Sequence, residues 1–184
     1  MLIGNTGVGK SSIAVRYCQN QFVTAHRITI GSAYLQKSVC VSDSTVIKFH
    51  IWDTGGAEKF RALQPLYYRD AQAAVITYSV ANRESFEALT FWIEELHKHN
   101  AREDVIVCVV GNKSDISKRN REVDEDEAHR FVRKYNAYHA EVSAKTGDMV
   151  TPLFRYIAKR VHQIKNEANS VKSAERASHL DKTH

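Results

Sequence analysis

The run Gly4-Asn5-Thr6-Gly7-Val8-Gly9-Lys10-Ser11 constrains this chain more than any other feature. It is a glycine, four residues, then Gly-Lys-Ser, leading straight into the helical segment Ser12 to Cys18. Glycines at 4, 7 and 9 let the backbone close round an anion, and the helix behind them aims unpaired N–H groups and partial positive charge at the same point. A phosphate cradle is therefore expected from Thr6, Gly7, Val8, Gly9, Lys10, Ser11 and Ser12. Lys10 supplies a mobile cation. The Ser11 hydroxyl is offered to Mg²⁺, a small hard ion that takes oxygen ligands in near-octahedral array.

Strand-like and helical segments alternate after this loop, which predicts an α/β fold with a mostly parallel sheet and helices on both faces. Ser32 to Val41 and Thr45 to Trp52 alternate in character across Ser42-Asp43-Ser44 and read as an antiparallel hairpin at a sheet edge. Ala73 to Val80 and Val105 to Val110 are continuous apolar runs, expected as central strands. Helices are predicted over Glu84 to His99 with Asn82 as cap, over Asp124 to Tyr135, and over Pro152 to Ile164 with Thr151 as cap. Residues 1–165 form one domain in this reading, and 166–184 a polar tail, frayed helix and then disorder.

With 184 residues, 43% hydrophobic and 26% charged, the chain has room for one substantial core and no second domain. The net charge of +5 is spread among nearly as many acids, so no nucleic-acid surface is expected. Cys18, Cys40 and Cys108 lack metal-ligand spacing and read as reduced thiols. No apolar stretch approaches a membrane span, so the protein is expected to be cytoplasmic and monomeric, or peripheral at a membrane.

Two later motifs define a nucleotide. Asp53-Thr54-Gly55-Gly56 ends a strand where a carboxylate facing Mg²⁺ belongs, with a glycine N–H for a terminal phosphate. Asn112-Lys113-Ser114-Asp115 follows the strand Val105 to Val110, so it emerges at the carboxyl end of the sheet, where such folds bind ligands. A carboxylate such as Asp115 accepts from both the ring N–H and the exocyclic amine of guanine, a donor pair adenine lacks there. Ser143-Ala144-Lys145 would bring a backbone N–H to the guanine carbonyl. The ligands expected are GTP or GDP with Mg²⁺.

In this order these residues resemble the Ras-like small GTPases, over Leu2 to about Ile164. Ile30-Gly31-Ser32-Ala33-Tyr34, Lys59-Phe60-Arg61-Ala62-Leu63 and Tyr67-Tyr68-Arg69-Asp70-Ala71 resemble segments of the Rab branch, and Ala71-Gln72-Ala73-Ala74 is similar to its early-endosomal members. The resemblance implies that Thr29 gives its hydroxyl to Mg²⁺ beside Ser11 and Asp53 and senses the γ-phosphate, and that Phe22 packs on the guanine. It implies catalytic parts for Lys10, Thr29 and Gly56. It implies two switches, roughly Thr24 to Thr29 and Gly55 to Arg69, and an aromatic patch of Tyr34, Trp52 and Tyr67. Through these the chain would meet an exchange factor, a GTPase-activating protein and effectors at endosomal membranes.

Three departures stand against that pattern. Ala57 occupies the place of the water-positioning glutamine, so intrinsic hydrolysis is expected to be slow. No cysteine for prenylation lies near the C-terminus, so no membrane anchor is visible. The first strand is cut to Leu2-Ile3, as in a truncated chain. The expected function is a GTP/GDP switch for membrane traffic. The alternative is a pseudo-GTPase that stays GTP-bound as a scaffold, with an ATP-dependent transferase a distant third.

Overall fold

The computed structural model of the chain describes residues 1–24, 28–56 and 65–180, with 65 and 172–180 described as backbone. Elements follow in the order β1 (Leu2–Ile3), α1 (Lys10–Gln19), β2 (Ser32–Ser42), β3 (Thr45–Thr54), α2 (Pro65–Tyr68), β4 (Ala73–Ser79), α3 (Arg83–Glu87), α4 (Leu89–His99), β5 (Ile106–Asn112), α5 (Glu125–Arg133), β6 (Tyr138–Val142) and α6 (Val150–Leu180). The six strands form one sheet in the order β2-β3-β1-β4-β5-β6. Only β2 and β3 pair antiparallel; β1, β4, β5 and β6 join in parallel. The expected α/β architecture is the one found, with the hairpin at one edge and β4 and β5 inside.

Alternation along the inner strands assigns side chains to two cores. Leu2, Val75, Cys108 and Val110 face α1 and α6, packing with Ile13, Tyr17, Leu153 and Phe154. Their neighbours Ile3, Ala74, Ile76 and Val109 point the other way, toward Trp92, Ile93 and Leu96 of α4 and Ala128 and Val132 of α5. Strands covered by helices on both sides can be apolar at every position, which is why β4 and β5 read as unbroken hydrophobic runs. All nucleotide motifs then fall on loops that leave the carboxyl ends of β1, β3, β5 and β6.

Element boundaries shift in three places. The helix expected over Glu84 to His99 is two segments that meet at Ala88, while Asn82 caps the first by accepting from the Ser85 N–H at 2.7 Å. α6 begins at Val150 rather than Pro152. Met149, at φ 54°, turns the chain, and its carbonyl accepts from Leu153 at 3.1 Å. Thr151 is thus already in the helix, and Pro152 lies in the first turn, where a missing N–H costs nothing. The tail from Asn166, expected as frayed helix and then disorder, is helical as far as Leu180. No glycine or proline interrupts the helix after Pro152, and helical hydrogen bonds close within the segment. Burial nonetheless ends near Val161, and residues 165–171 are exposed.

Under the second core lies a polar cluster. The buried Tyr78 hydroxyl meets Nε2 of His139 at 3.2 Å, the His129 ring stands 4.6 Å from that of His139, and Arg121 pairs with Glu141 through both guanidinium ends. Burial, aided by His129 and Arg121 and opposed by Glu141, lowers the His139 pKa to about 4. The unfolded chain then binds more protons than the folded one between pH 6.5 and 4, so this site's contribution to stability is full above pH 6.5 and is lost as pH falls through that window. Solvent reaching the cluster screens part of the effect, leaving about 1 kcal/mol at pH 5. The melting temperature should fall between pH 7.5 and 5, and His139→Gln should reduce that fall; equal pH slopes in the two proteins would refute it.

Candidate nucleotide site

A cleft of about 350 Å³ opens at the carboxyl ends of the strands. Its floor is the loop between β1 and α1. Lys10 Nζ folds back and donates to the Gly4 carbonyl at 2.7 Å and the Asn5 carbonyl at 2.8 Å. The ammonium is thereby held within the loop that Thr6, Gly7 and Gly9 line. Burial lowers the Lys10 pKa to about 8, and the Asp53 carboxylate opposes that shift. Val8, predicted beside these residues, turns its side chain into the protein (2% exposed) and is joined to the site through its backbone.

On the next side, the hydroxyls of Ser11 and Thr29 lie 2.9 Å apart, although 18 residues separate them. Asp53 is buried at the end of β3, and Gly56 lines the cleft. Ser11, Thr29 and Asp53 are hard oxygen donors of the kind Mg²⁺ takes, and the adjacent hydroxyls fit that ion better than a soft metal. They could hold Mg²⁺, whose charge would offset that of bound phosphates. Close packing fixes the loops around them. A Cβ on Gly56 would stand 2.5 Å from the Asn5 carbonyl carbon and the Thr6 nitrogen, and one on Gly9 would stand 2.2 Å from Nδ2 of Asn112.

At the far end, Phe22, Asn112, Lys113, Asp115, Ala144 and Lys145 line the same cleft. Asn112 is buried and ties the two ends together: its amide nitrogen donates to the Val8 carbonyl at 2.9 Å, and its oxygen accepts from the Ala144 N–H at 3.1 Å. Lys113 Nζ reaches across to the Gly7 carbonyl at 2.8 Å. Ser143 does not line the cleft. It is buried behind it, and its hydroxyl donates to Oδ1 of Asp115 at 2.7 Å, fixing the carboxylate. Lys145 Nζ lies 3.8 Å from Oδ2 of the same group.

The sequence reading missed several parts. Ile28, Thr54 and Ile116 also line the cleft. Arg16 of α1 donates to the carbonyls of Ala144 at 2.8 Å and Lys145 at 2.6 Å, pinning the loop after β6 to the helix behind the phosphate loop. Only the fold brings Arg16 to a loop 128 residues away, so no local pattern announces it. Outside the cleft, Tyr34, Trp52 and Tyr67 form a row, with ring centroids 4.8 and 5.0 Å apart in turn, and Ser32 donates to the Tyr67 hydroxyl at 2.8 Å. Ala57, the segment Lys59 to Leu63 and parts of both expected switches lie outside the described residues. No helix among the described residues is long and apolar enough to cross a membrane.

Comparison with known proteins agrees with this geometry. The family model described as the Ras family matches residues 1–163. The Ras-related protein Rab-5B of Plasmodium falciparum is 41% identical over 162 residues, covering 88% of this chain and 76% of that protein. The Ras-related protein Rab-5A of Dictyostelium discoideum is 38% identical over 161 residues, covering 88% of this chain and 79% of that protein. Together with the single cleft that joins a phosphate loop to an Asn-Lys-x-Asp loop, these matches show that the chain belongs to the Ras family of small GTPases, in the Rab branch beside the Rab-5 proteins.

Proposed function

We propose that this chain is a GTP/GDP switch of endosomal membrane traffic with slow intrinsic hydrolysis. One observation carries the nucleotide part of the reading: the Gly4–Ser12 loop and the Asn112–Asp115 loop line one cleft and are clasped together by Asn112. Gly7, Gly9, Lys10, Ser11 and Ser12 take the phosphates, Asp115 and Ala144 read the base, Phe22 covers it, and Ser11, Thr29 and Asp53 hold Mg²⁺. Exchange factor, activating protein and effectors meet the switches and the row Tyr34, Trp52 and Tyr67. The traffic assignment rests on the likeness to Rab-5 proteins.

Slow hydrolysis rests on Ala57. In-line attack on the γ-phosphate needs an oriented water, and an alanine methyl can neither accept nor donate a hydrogen bond to hold one. Lys10 and the loop N–H groups still stabilise the phosphates, so binding survives while turnover falls. Nucleotide extracted from the purified protein is expected to be guanine nucleotide. A mixture rich in GDP supports a cycling switch, an almost pure GTP fraction supports the scaffold reading, and ATP would overturn the assignment. In single-turnover assays without an activator, Ala57→Gln should hydrolyse GTP at least about tenfold faster than the unaltered chain; equal rates would refute the role given to Ala57.

A further inference from the structure

The indole N–H of Trp92, a side chain 1% exposed on α4, donates to Oδ1 of Asn5 at 2.8 Å across 87 residues of sequence. Nothing in nucleotide chemistry asks for a tryptophan there, yet its acceptor belongs to a residue whose peptide carries two other contacts of the phosphate loop. The Asn5 carbonyl accepts from Lys10 Nζ, and the backbone of Gly56 packs so closely on the peptide between Asn5 and Thr6 that a Cβ there would stand 2.5 Å away. The cation of the cradle and the glycine that opens the second switch therefore both rest on the peptide that Asn5 begins. α4 is anchored at its other end as well. Asn100, its C-cap, donates to the carbonyls of Tyr68 and Ala71 at 2.6 and 3.0 Å, and the His99 ring stacks on that of Tyr68 in α2.

We propose that Trp92 is a positioning residue for the phosphate loop: through Asn5 it holds the peptide on which Lys10 and Gly56 rest, so that retention of the nucleotide depends on α4. The proposal rests on the guanine-nucleotide reading above. A buried neutral hydrogen bond of this kind corresponds to about a three- to tenfold change in an equilibrium. Its loss loosens the loop around the phosphates without removing any group that touches them.

The test is the release rate of a fluorescent GDP derivative from the full chain at fixed Mg²⁺. Trp92→Phe keeps a buried ring and removes the donor, and it should release the probe about three- to tenfold faster. Asn5→Ala removes the acceptor and should do the same. The double variant should be no faster than either single one, because both break one bond. A purely structural effect would not predict that non-additivity. A second readout avoids any variant at position 92. With Trp52→Phe, Trp92 is the sole tryptophan, and adding Asn5→Ala should shift its emission to shorter wavelength as the indole loses its acceptor. Release at the unaltered rate from both single variants, rates that multiply in the double variant, or an unmoved emission band would each overturn the proposal. Should Trp92→Phe fail to fold, Asn5→Ala and the emission band decide. If the unaltered chain binds no guanine nucleotide, the nucleotide reading itself fails and this proposal with it; tight binding with unchanged variants defeats this proposal alone.

Discussion

Replacing Asp115 by asparagine is expected to weaken GTP binding by about 10²- to 10⁴-fold and to create a preference for xanthosine triphosphate. The carboxylate is a pair of acceptors, held by the Ser143 hydroxyl on one oxygen and approached by Lys145 on the other. In the proposed binding mode guanine would bring two adjacent donors to it, the ring N–H and the exocyclic amine. Asparagine keeps one acceptor and turns the second into an NH₂ donor, which faces the exocyclic amine donor to donor and leaves both groups unsatisfied in a dry site. Xanthine carries a carbonyl at that position and restores the pair. Titration of both triphosphates into the two proteins measures the effect. GTP affinity that is unchanged in Asp115→Asn would remove Asp115 from the base site.

A methyl group at Gly4 is expected to cost more than about 4 kcal/mol, against the 5 to 15 kcal/mol that keeps a typical domain folded. Gly4 has φ 134°, which L side chains rarely adopt, and a Cβ there would stand 2.2 Å from the backbone oxygen of Thr77. Thr77 is fully buried in β4 and paired with Val110 of β5, so it cannot retreat without disturbing the middle of the sheet. Gly7 is the internal control. Its φ is also positive, at 80°, but no atom lies within 4 Å of its would-be Cβ. Gly7→Ala should therefore cost only the conformational strain of about 1 to 2 kcal/mol. Thermal melts of the two variants, without nucleotide, should separate by many degrees; a Gly4→Ala chain that melts as well as Gly7→Ala would refute the steric argument.

The contrast between those glycines marks what could be read from the chain. Contiguous motifs were legible as motifs: the loop from Gly4 to Ser11 and the Asn112 to Asp115 turn are each defined by spacing over a few residues, and residues of both line one cleft, while Asp53 is buried at the end of β3 beside it. So was the placing of β4 and β5 inside the sheet, because only a strand covered on both faces can afford hydrophobic side chains at nearly every position. What escaped reading depends on pairs far apart in sequence. Trp92 with Asn5, Arg16 with Ala144, and Asn112 with Val8 are side chain to loop contacts across 87, 128 and 104 residues, and neither partner of any pair has a pattern that names the other. Boundaries escaped for a different reason. The turn at Met149 uses a left-handed backbone at a residue that rarely adopts it, so Thr151-Pro152 looked like the better helix start. Ser143 is a third kind of case: read from the sequence as a residue of the base end, it is buried behind the cleft wall and donates to Asp115.

The hairpin has a consequence of parity. Tyr34 faces Trp52 and Gln36 faces His50 across the two strands, while Leu35 and Phe49 on the odd rows pack against the core. Whether the aromatic row exists at all is therefore decided by counting: one residue gained or lost within Ala33–Val39 would send Tyr34 inward and expose a core side chain, whereas two would restore the face. One odd residue is already accommodated. Val41 has no cross-strand partner between the pairs Cys40–Val46 and Ser42–Thr45, next to the turn and beyond the aromatic row. Length variation in this strand is thus tolerable at the tip of the hairpin in single steps, and near the aromatic row only in even ones.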